Sequence, residues 1–495
     1  MFSNIEYDIC TSEDLVEVII ESIGLYFPKI VSDNLTLEPA IAEYTDPLRD
    51  DLHFMVEYPY VDKFYRDSYY HYFGSKHSAY HRDCIRVLIF EQGVDVQEFL
   101  QPEHHSELGK KFLGYFILRP IRDIFGRSLI SPKALTENNF RICRQSANCS
   151  VLGLKLFVEG FPHCSQDRET ITCAETTLWA VMDYFGNKYA DYKPVLPSQI
   201  IKVLESHANQ RQLPAVGLAM EELSFALKQF GFGPRIYSVQ GYNDPTFEIA
   251  DIYVESGIPV LTGLTSAVGG LGHVVVLVGK QWIEPIFDPP KRRSYEAFGR
   301  TVSYYDCTDF ERKYVVQDDN LAPYRIISLE NAGEHYDDDE SKAYEVDQIV
   351  VPLHPKVYLD AYAGKNLIFE ILKDRSLGFN FDDDFVLRFF LTSSRSFKGH
   401  VASLGQIDPG LRHSILVARM PKFIWVAEAY KKEAFIEKEK KALALVLLDA
   451  TEIKTSSPDA LIFAAYPDRC LGILENNFVT LPYKLEHYQY FSNLV

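Results

Sequence analysis

The chain has 495 residues, 47% of them hydrophobic, which is enough for several buried cores and for roughly three domains of about 150 residues each. Lys+Arg number 50 against 69 Asp+Glu, a formal net charge of −19, which argues against nonspecific binding to nucleic acid or to an anionic membrane. No apolar stretch approaches the ~18 residues that read as a membrane span.

Residues 1–155 read as an N-terminal mixed α/β domain of unassigned role. Thr11-Ser12-Glu13-Asp14 has the residue types of a helix start, and Leu15, Val18, Ile19, Ser22 and Ile23 then share one face. Segments 85–90 and 114–120 are rich in aromatic and branched residues and read as strands. The aromatic cluster from Tyr58 to Phe73 reads as partly buried core. The N-terminus has neither a basic nor an apolar region, so no secretory signal is visible. Eight cysteines lie scattered without a framework spacing, as free thiols do in a reducing compartment, and the expected location is cytoplasmic. No Cys-x-x-Cys occurs, and His81-Arg82-Asp83-Cys84 and His163-Cys164 lack a second half, so no metal and no cofactor are expected.

Residues 156–330 read as a central domain with helices first and an antiparallel-looking sheet afterwards, an α+β order. In the helix expected from Cys173, Leu178, Val181, Met182 and Phe185 share a face, and Gly186 reads as its stop. Further helices are expected from Pro197 and over 219–230. Strands are expected over 259–264 and 273–278, with a short one ending at Phe287. The acidic run from Glu334 to Glu340 reads as a solvated loop or linker. Residues 350–495 read as a β-rich α+β domain, with strand-like runs at 385–391, 423–427, 443–448 and 460–465.

Three residues in the central block carry the chemistry. Cys173 opens a helix, where unpaired N–H groups and the positive dipole end favour a thiolate. His273 follows the run Gly269-Gly270-Leu271-Gly272 and enters an apolar strand, a position from which an imidazole can project over the sheet rim. Asp288 comes fifteen residues later, enough for a strand, a turn and a return strand that would set it beside His273. A thiol nucleophile, its base and the group that orients the base need these three residue types. Cys173 is accordingly expected to be the most reactive of the eight thiols.

The window from Gln166 to Pro289 resembles the papain-like cysteine peptidases, and within them the bacteriocin-processing, double-glycine branch. The resemblance rests on Gln166, Cys173, Tyr184-Phe185-Gly186, Glu222-Leu223 through Phe230-Gly231, Gly257-Ile258-Pro259-Val260, Gly272-His273-Val274-Val275-Val276 and Asp288-Pro289. It covers about a quarter of the chain. Ala174 stands where that branch usually has glycine, and Gln166 lies one residue further from the cysteine. The resemblance implies a papain-like domain of helices on an antiparallel sheet, a catalytic Cys173, His273 and Asp288, and Gln166 as oxyanion donor. It implies hydrolysis of an amide or isopeptide bond in a protein or peptide substrate, through an acyl-thioenzyme. Transglutaminase-like or N-acetyltransferase-like acyl transfer uses the same three residue types in the same order, and an interaction protein with a relict site is the non-enzymatic alternative. The flanking blocks are expected to select the substrate or to hold a protein partner; neither a nucleic acid nor a membrane is expected as partner.

Overall fold

The computed structural model describes residues 4–33, 37–208, 212–213, 218–242, 245–266, 272–281, 291–310, 313–432, 435, 442–453, 459–474 and 477–495. The fold is mixed α+β, with several largely antiparallel sheets. The chain divides into two compact units, and both are discontinuous in sequence. One comprises Met1–Gly231, Leu261–Val278 and Tyr314–Val350; the other comprises Phe232–Val260, Gly279–Lys313 and Val351–Val495.

The first unit contains an antiparallel sheet in the order Glu6–Thr11, His53–Tyr60, Cys84–Phe90, Phe112–Leu118, Phe125–Ile130, His163–Cys164. The strands Cys84–Phe90 and Phe112–Leu118 are buried at every residue; the second is an unbroken apolar run, and in the first the one charged residue, Arg86, is buried against Glu57. Gly114 sits there at φ +138°, and a Cβ on it would lie 2.4 Å from the Leu129 carbonyl oxygen, so only glycine fits. Of the tyrosine-rich cluster, Phe64, Tyr65 and Phe73 are core residues, whereas Tyr70 is exposed.

A second sheet in this unit holds, in order, Tyr344–Val351, Val260–Ser266, His273–Gln281, Tyr314–Gln317 and Arg325–Ile327, and Phe140–Ile142 also pairs with the His273 strand. Helices Cys173–Lys188, Pro197–Glu205 and Met220–Gln229 belong to the same unit. The first of them runs past Gly186. A Cβ at Gly186 would lie 2.2 Å from the Pro194 nitrogen, so this glycine admits a close backbone approach and does not end the helix. Gly231, at φ +93°, does follow the end of the third helix as the sequence suggests.

The boundary expected at residue 155 falls inside the strand Leu154–Gly160, which forms a hairpin with Gln145–Val151. Three residues later His163–Cys164 adds to the N-terminal sheet. Sheet pairing therefore carries the chain from the first expected block into the second without a break. The other unit is built on an eight-stranded sheet that starts with the hairpin Arg292–Ala297 and Arg300–Asp306. It continues through Phe385–Ser393, Phe423–Lys431, Ala442–Asp449, Leu461–Ala465, Cys470–Leu474 and Asn477–Leu481. The four strand runs read in the last block all lie in this sheet, and Arg300–Asp306 joins Phe385–Ser393 in parallel.

Candidate active site

The helix Cys173–Lys188 begins at the cysteine itself. Glu175 fixes that start: its Oε2 accepts the Thr172 backbone N–H at 3.0 Å and the Thr172 hydroxyl at 2.5 Å. These are the cap interactions that a helix N-terminus lacks on its own. Cys173 is partly exposed, while the other seven cysteines are buried. Burial pushes the thiols of Cys143 and Cys149 up to about 11 and those of Cys10 and Cys470 up to about 12. A buried thiol held protonated is inert, so accessibility and helix position together single out Cys173.

Two adjacent threonines in the first turn dock this helix. Thr177 Oγ1 donates to the Val274 carbonyl at 3.2 Å, which pins the helix to the strand that His273 opens. Thr176 Oγ1 donates to Asp319 Oδ2 at 2.8 Å, which pins it to the segment after the strand Tyr314–Gln317. Threonine is a modest helix former. Here the pair serves to hold the thiol in register with two separate strands.

His273 is 5% exposed, and its Nε2 lies 2.9 Å from Asp318 Oδ1. The Cys173 side chain is among the groups that act on the same imidazole and raise its pKa. With Nε2 committed to Asp318, Nδ1 is the nitrogen left to meet the sulfur. Burial alone would lower the pKa of His273. The Asp318 charge and hydrogen bond outweigh that, with Cys173 and Asp319 adding to them, and hold it well above the ordinary histidine value.

Asp318 is fully buried and its carboxylate is tethered on both oxygens. Oδ1 accepts from His273 and from the Asn320 backbone N–H at 3.0 Å, and Oδ2 accepts from the Tyr336 hydroxyl. His335 Nε2 stands 3.7 Å from Oδ2. Burial would raise this carboxyl, but His273, His335 and Tyr336 hold it well below the usual range, so it is ionised. Behind it, His163 Nε2 donates to the Asp318 carbonyl oxygen at 3.0 Å. Burial holds His163 down to about 4 and therefore neutral, and its Nδ1 lies 3.4 Å from Ser128 Oγ. The N-terminal sheet thus buttresses the residue that orients His273.

Asp288 lies outside the described residues, as do Gly269, Gly270 and Leu271. The carboxylate on His273 Nε2 is that of Asp318, and the strand beside His273–Gln281 on the side away from Val260–Ser266 is Tyr314–Gln317. The signal for it was an apolar run, Tyr314-Val315-Val316, ending in Asp318-Asp319. The acidic run from Glu334 to Glu340 is exposed at its charges, yet Tyr336 within it is buried against Asp318. Gln166 is half-buried. Its Nε2 donates to Asn320 Oδ1, and its backbone carbonyl accepts from Arg119 Nη2 at 3.0 Å. That ties Gln166 to the Asp318–Asn320 turn through one of its two amide N–H groups and fixes the direction of the other.

Among the described residues, His273, Asp318 and Asp319 form a group whose nitrogen and oxygen atoms lie within 4.8 Å of one another. A cation seated there would have to displace the Nε2–H···Oδ1 bond that joins the first two. The arrangement has the parts that proton transfer needs: an accessible thiol at a helix start, an imidazole near it, and an ionised buried carboxylate hydrogen-bonded to that imidazole. The chain matches no protein-family model, and no curated protein is significantly similar to it.

Proposed function

We propose that this chain is a thiol hydrolase of the papain-like kind, a cysteine peptidase or isopeptidase acting on a protein or peptide substrate. The Cys173 thiolate attacks the scissile carbonyl carbon, and the C–N bond breaks as the His273 imidazolium gives its proton to the leaving amine. The resulting thioester is hydrolysed by a water whose proton returns to His273. Asp318 takes the orienting role expected of Asp288 and stabilises the imidazolium without itself being protonated. The Cys173 backbone N–H, at the first helical position, has no intrahelical acceptor and faces the developing oxyanion.

The observation that carries this reading is the buried Nε2–Oδ1 contact of 2.9 Å, on an imidazole whose pKa the accessible thiol also raises. A histidine placed only for packing has no need of an ionised carboxylate on one side and a thiol on the other. The test uses an acyloxymethyl ketone peptide probe, read by intact mass and by mapping the labelled residue. One adduct at Cys173 is expected, absent in Cys173→Ala and in His273→Ala. Labelling that persists in Cys173→Ala, or that maps to another thiol, would sink the assignment. A proteome-derived peptide library, with and without added amine, then separates hydrolysis from acyl transfer.

A further inference from the structure

We propose that Asp319 is a second carboxylate of this site, a positioning residue whose charge, held close to His273, favours the thiolate–imidazolium pair that the imidazole forms with Cys173. The inference rests on the thiol-enzyme reading above and adds a control element to it.

The geometry separates Asp319 from its neighbour. Asp318 uses both oxygens, whereas Asp319 uses one. Oδ2 accepts from Thr176, and Oδ1 is buried with no hydrogen-bond partner among the described residues. The residue is 6% exposed. A purely structural buried carboxylate is expected to have both oxygens satisfied. The unpartnered oxygen lies 3.9 Å from His273 Nε2, too far for a hydrogen bond and near enough for the charge to act on the ring. Four ionisable groups face it from the elements around it: His273 on its strand, Asp318 just before it, Tyr336 on the later segment and Cys164 on the short edge strand. Thr176 faces it from the Cys173 helix.

Those surroundings set when the charge is present. Burial raises the Asp319 carboxyl, His273 opposes that rise, the adjacent Asp318 charge adds to it, and Thr176 lowers it slightly, leaving the group at about 7. Below neutrality Asp319 is an uncharged acid and the imidazole feels Asp318 alone. Above neutrality a second negative charge favours the imidazolium further and keeps it beside the thiol to higher pH. Thr176 couples the two events, because the hydroxyl that holds Asp319 sits one turn from the cysteine.

The test is alkylation of Cys173 by limiting iodoacetamide, followed on the Cys173 peptide by mass spectrometry from about pH 5 to about pH 9. The wild-type rate should carry an inflection near pH 7. Asp319→Asn should match wild type on the acid side and fall behind by roughly 3–10-fold at about pH 8, since a one-unit change in pKa is tenfold. Thr176→Val removes a hydrogen bond that favours the ionised acid and should move the inflection to higher pH. It keeps the inference open to refutation if Asp319→Asn does not fold. Profiles of the variants superimposed on wild type would overturn the role of Asp319 while leaving an activated Cys173 intact. A wild-type Cys173 no faster than a free thiol at any pH would overturn the thiol-enzyme reading, and this inference with it.

Discussion

Each unit carries a cluster of charges in its interior, and the two clusters are finished differently. In the second unit Arg388 is fully buried between Glu428, at 2.7 Å, and Glu255, at 2.8 Å. Tyr430 and Tyr488 each donate to Glu428 at 2.7 Å, and Tyr490 donates to Glu255 at 3.0 Å. Lys280 bridges Asp251 and Glu255 at 2.7 and 3.1 Å. Every ion there has an opposite charge, and the carboxylates collect hydroxyl donors besides. In the first unit the cluster around His273 leaves Asp319 Oδ1 and both His335 ring nitrogens without hydrogen-bond partners among the described residues, and it ends at a partly exposed thiol. A closed network has no proton to give and no place for a reactant. An incompletely satisfied one, beside an accessible nucleophile, is what chemistry requires and what packing alone does not reward.

Substitution should separate the two clusters. Asp318→Asn should lower turnover on any substrate found by profiling by about 10³–10⁴, because the imidazole loses the group that fixes its tautomer. Arg388→Met should instead cost about 3–5 kcal/mol of folding stability, because it leaves buried carboxylates uncompensated. The alkylation rate of Cys173 in the folded Arg388→Met protein should be unchanged. Denaturant titration and thiol kinetics on both variants check this; an Arg388→Met protein with a slowed Cys173 would erase the distinction between a structural and a chemical cluster.

A smaller effect comes from His163, which belongs to the scaffold behind Asp318. It is 2% exposed and held at about 4 by burial, against an ordinary 6.5. Its contribution to stability is therefore complete above about pH 6.5. It is lost as the pH falls towards 4, where the unfolded chain takes up a proton that the folded one refuses. The full difference amounts to about 3 kcal/mol. His163→Gln should flatten the dependence of the denaturant midpoint on pH in that window; an unchanged slope would mean that another group dominates acid unfolding.

The smallest change is expected at Gln166. With one amide N–H given to Asn320, Gln166→Ala should slow turnover less than the 10²–10³ typical of a lost oxyanion donor. A loss of that full size would show that the amide turns towards the substrate during the reaction.

The helix that starts at Cys173 and the strand that starts at His273 were legible because each is written locally. A cysteine beginning an amphipathic helix and a histidine beginning a β-branched strand need only neighbouring residues to be recognised. The strand runs of the second unit were legible for the same reason. The contact between His273 and Asp318 was not, because a sheet can place a distant strand next to a given one. After Val278 the chain leaves the first unit and returns only at Tyr314. The aspartate on the adjacent strand is therefore 45 residues beyond His273, where a local hairpin would have put it fifteen away. The expected break at residue 155 failed on the same ground: nothing local in Leu154–Gly160 announces that its hairpin and the following edge strand bind it to the sheet before it.

That interrupted path has a consequence in time. Translation completes Cys173 and its helix early, His273 later, and the Tyr314–Gln317 strand, Asp318 and Tyr336 later still, with two excursions into the other unit in between. Pairings between distant strands form only when both partners have been made. A nascent chain that already displays the thiol has neither a fixed imidazole nor the carboxylate that charges it. A site of the kind proposed above therefore stays incomplete until most of the chain has been made.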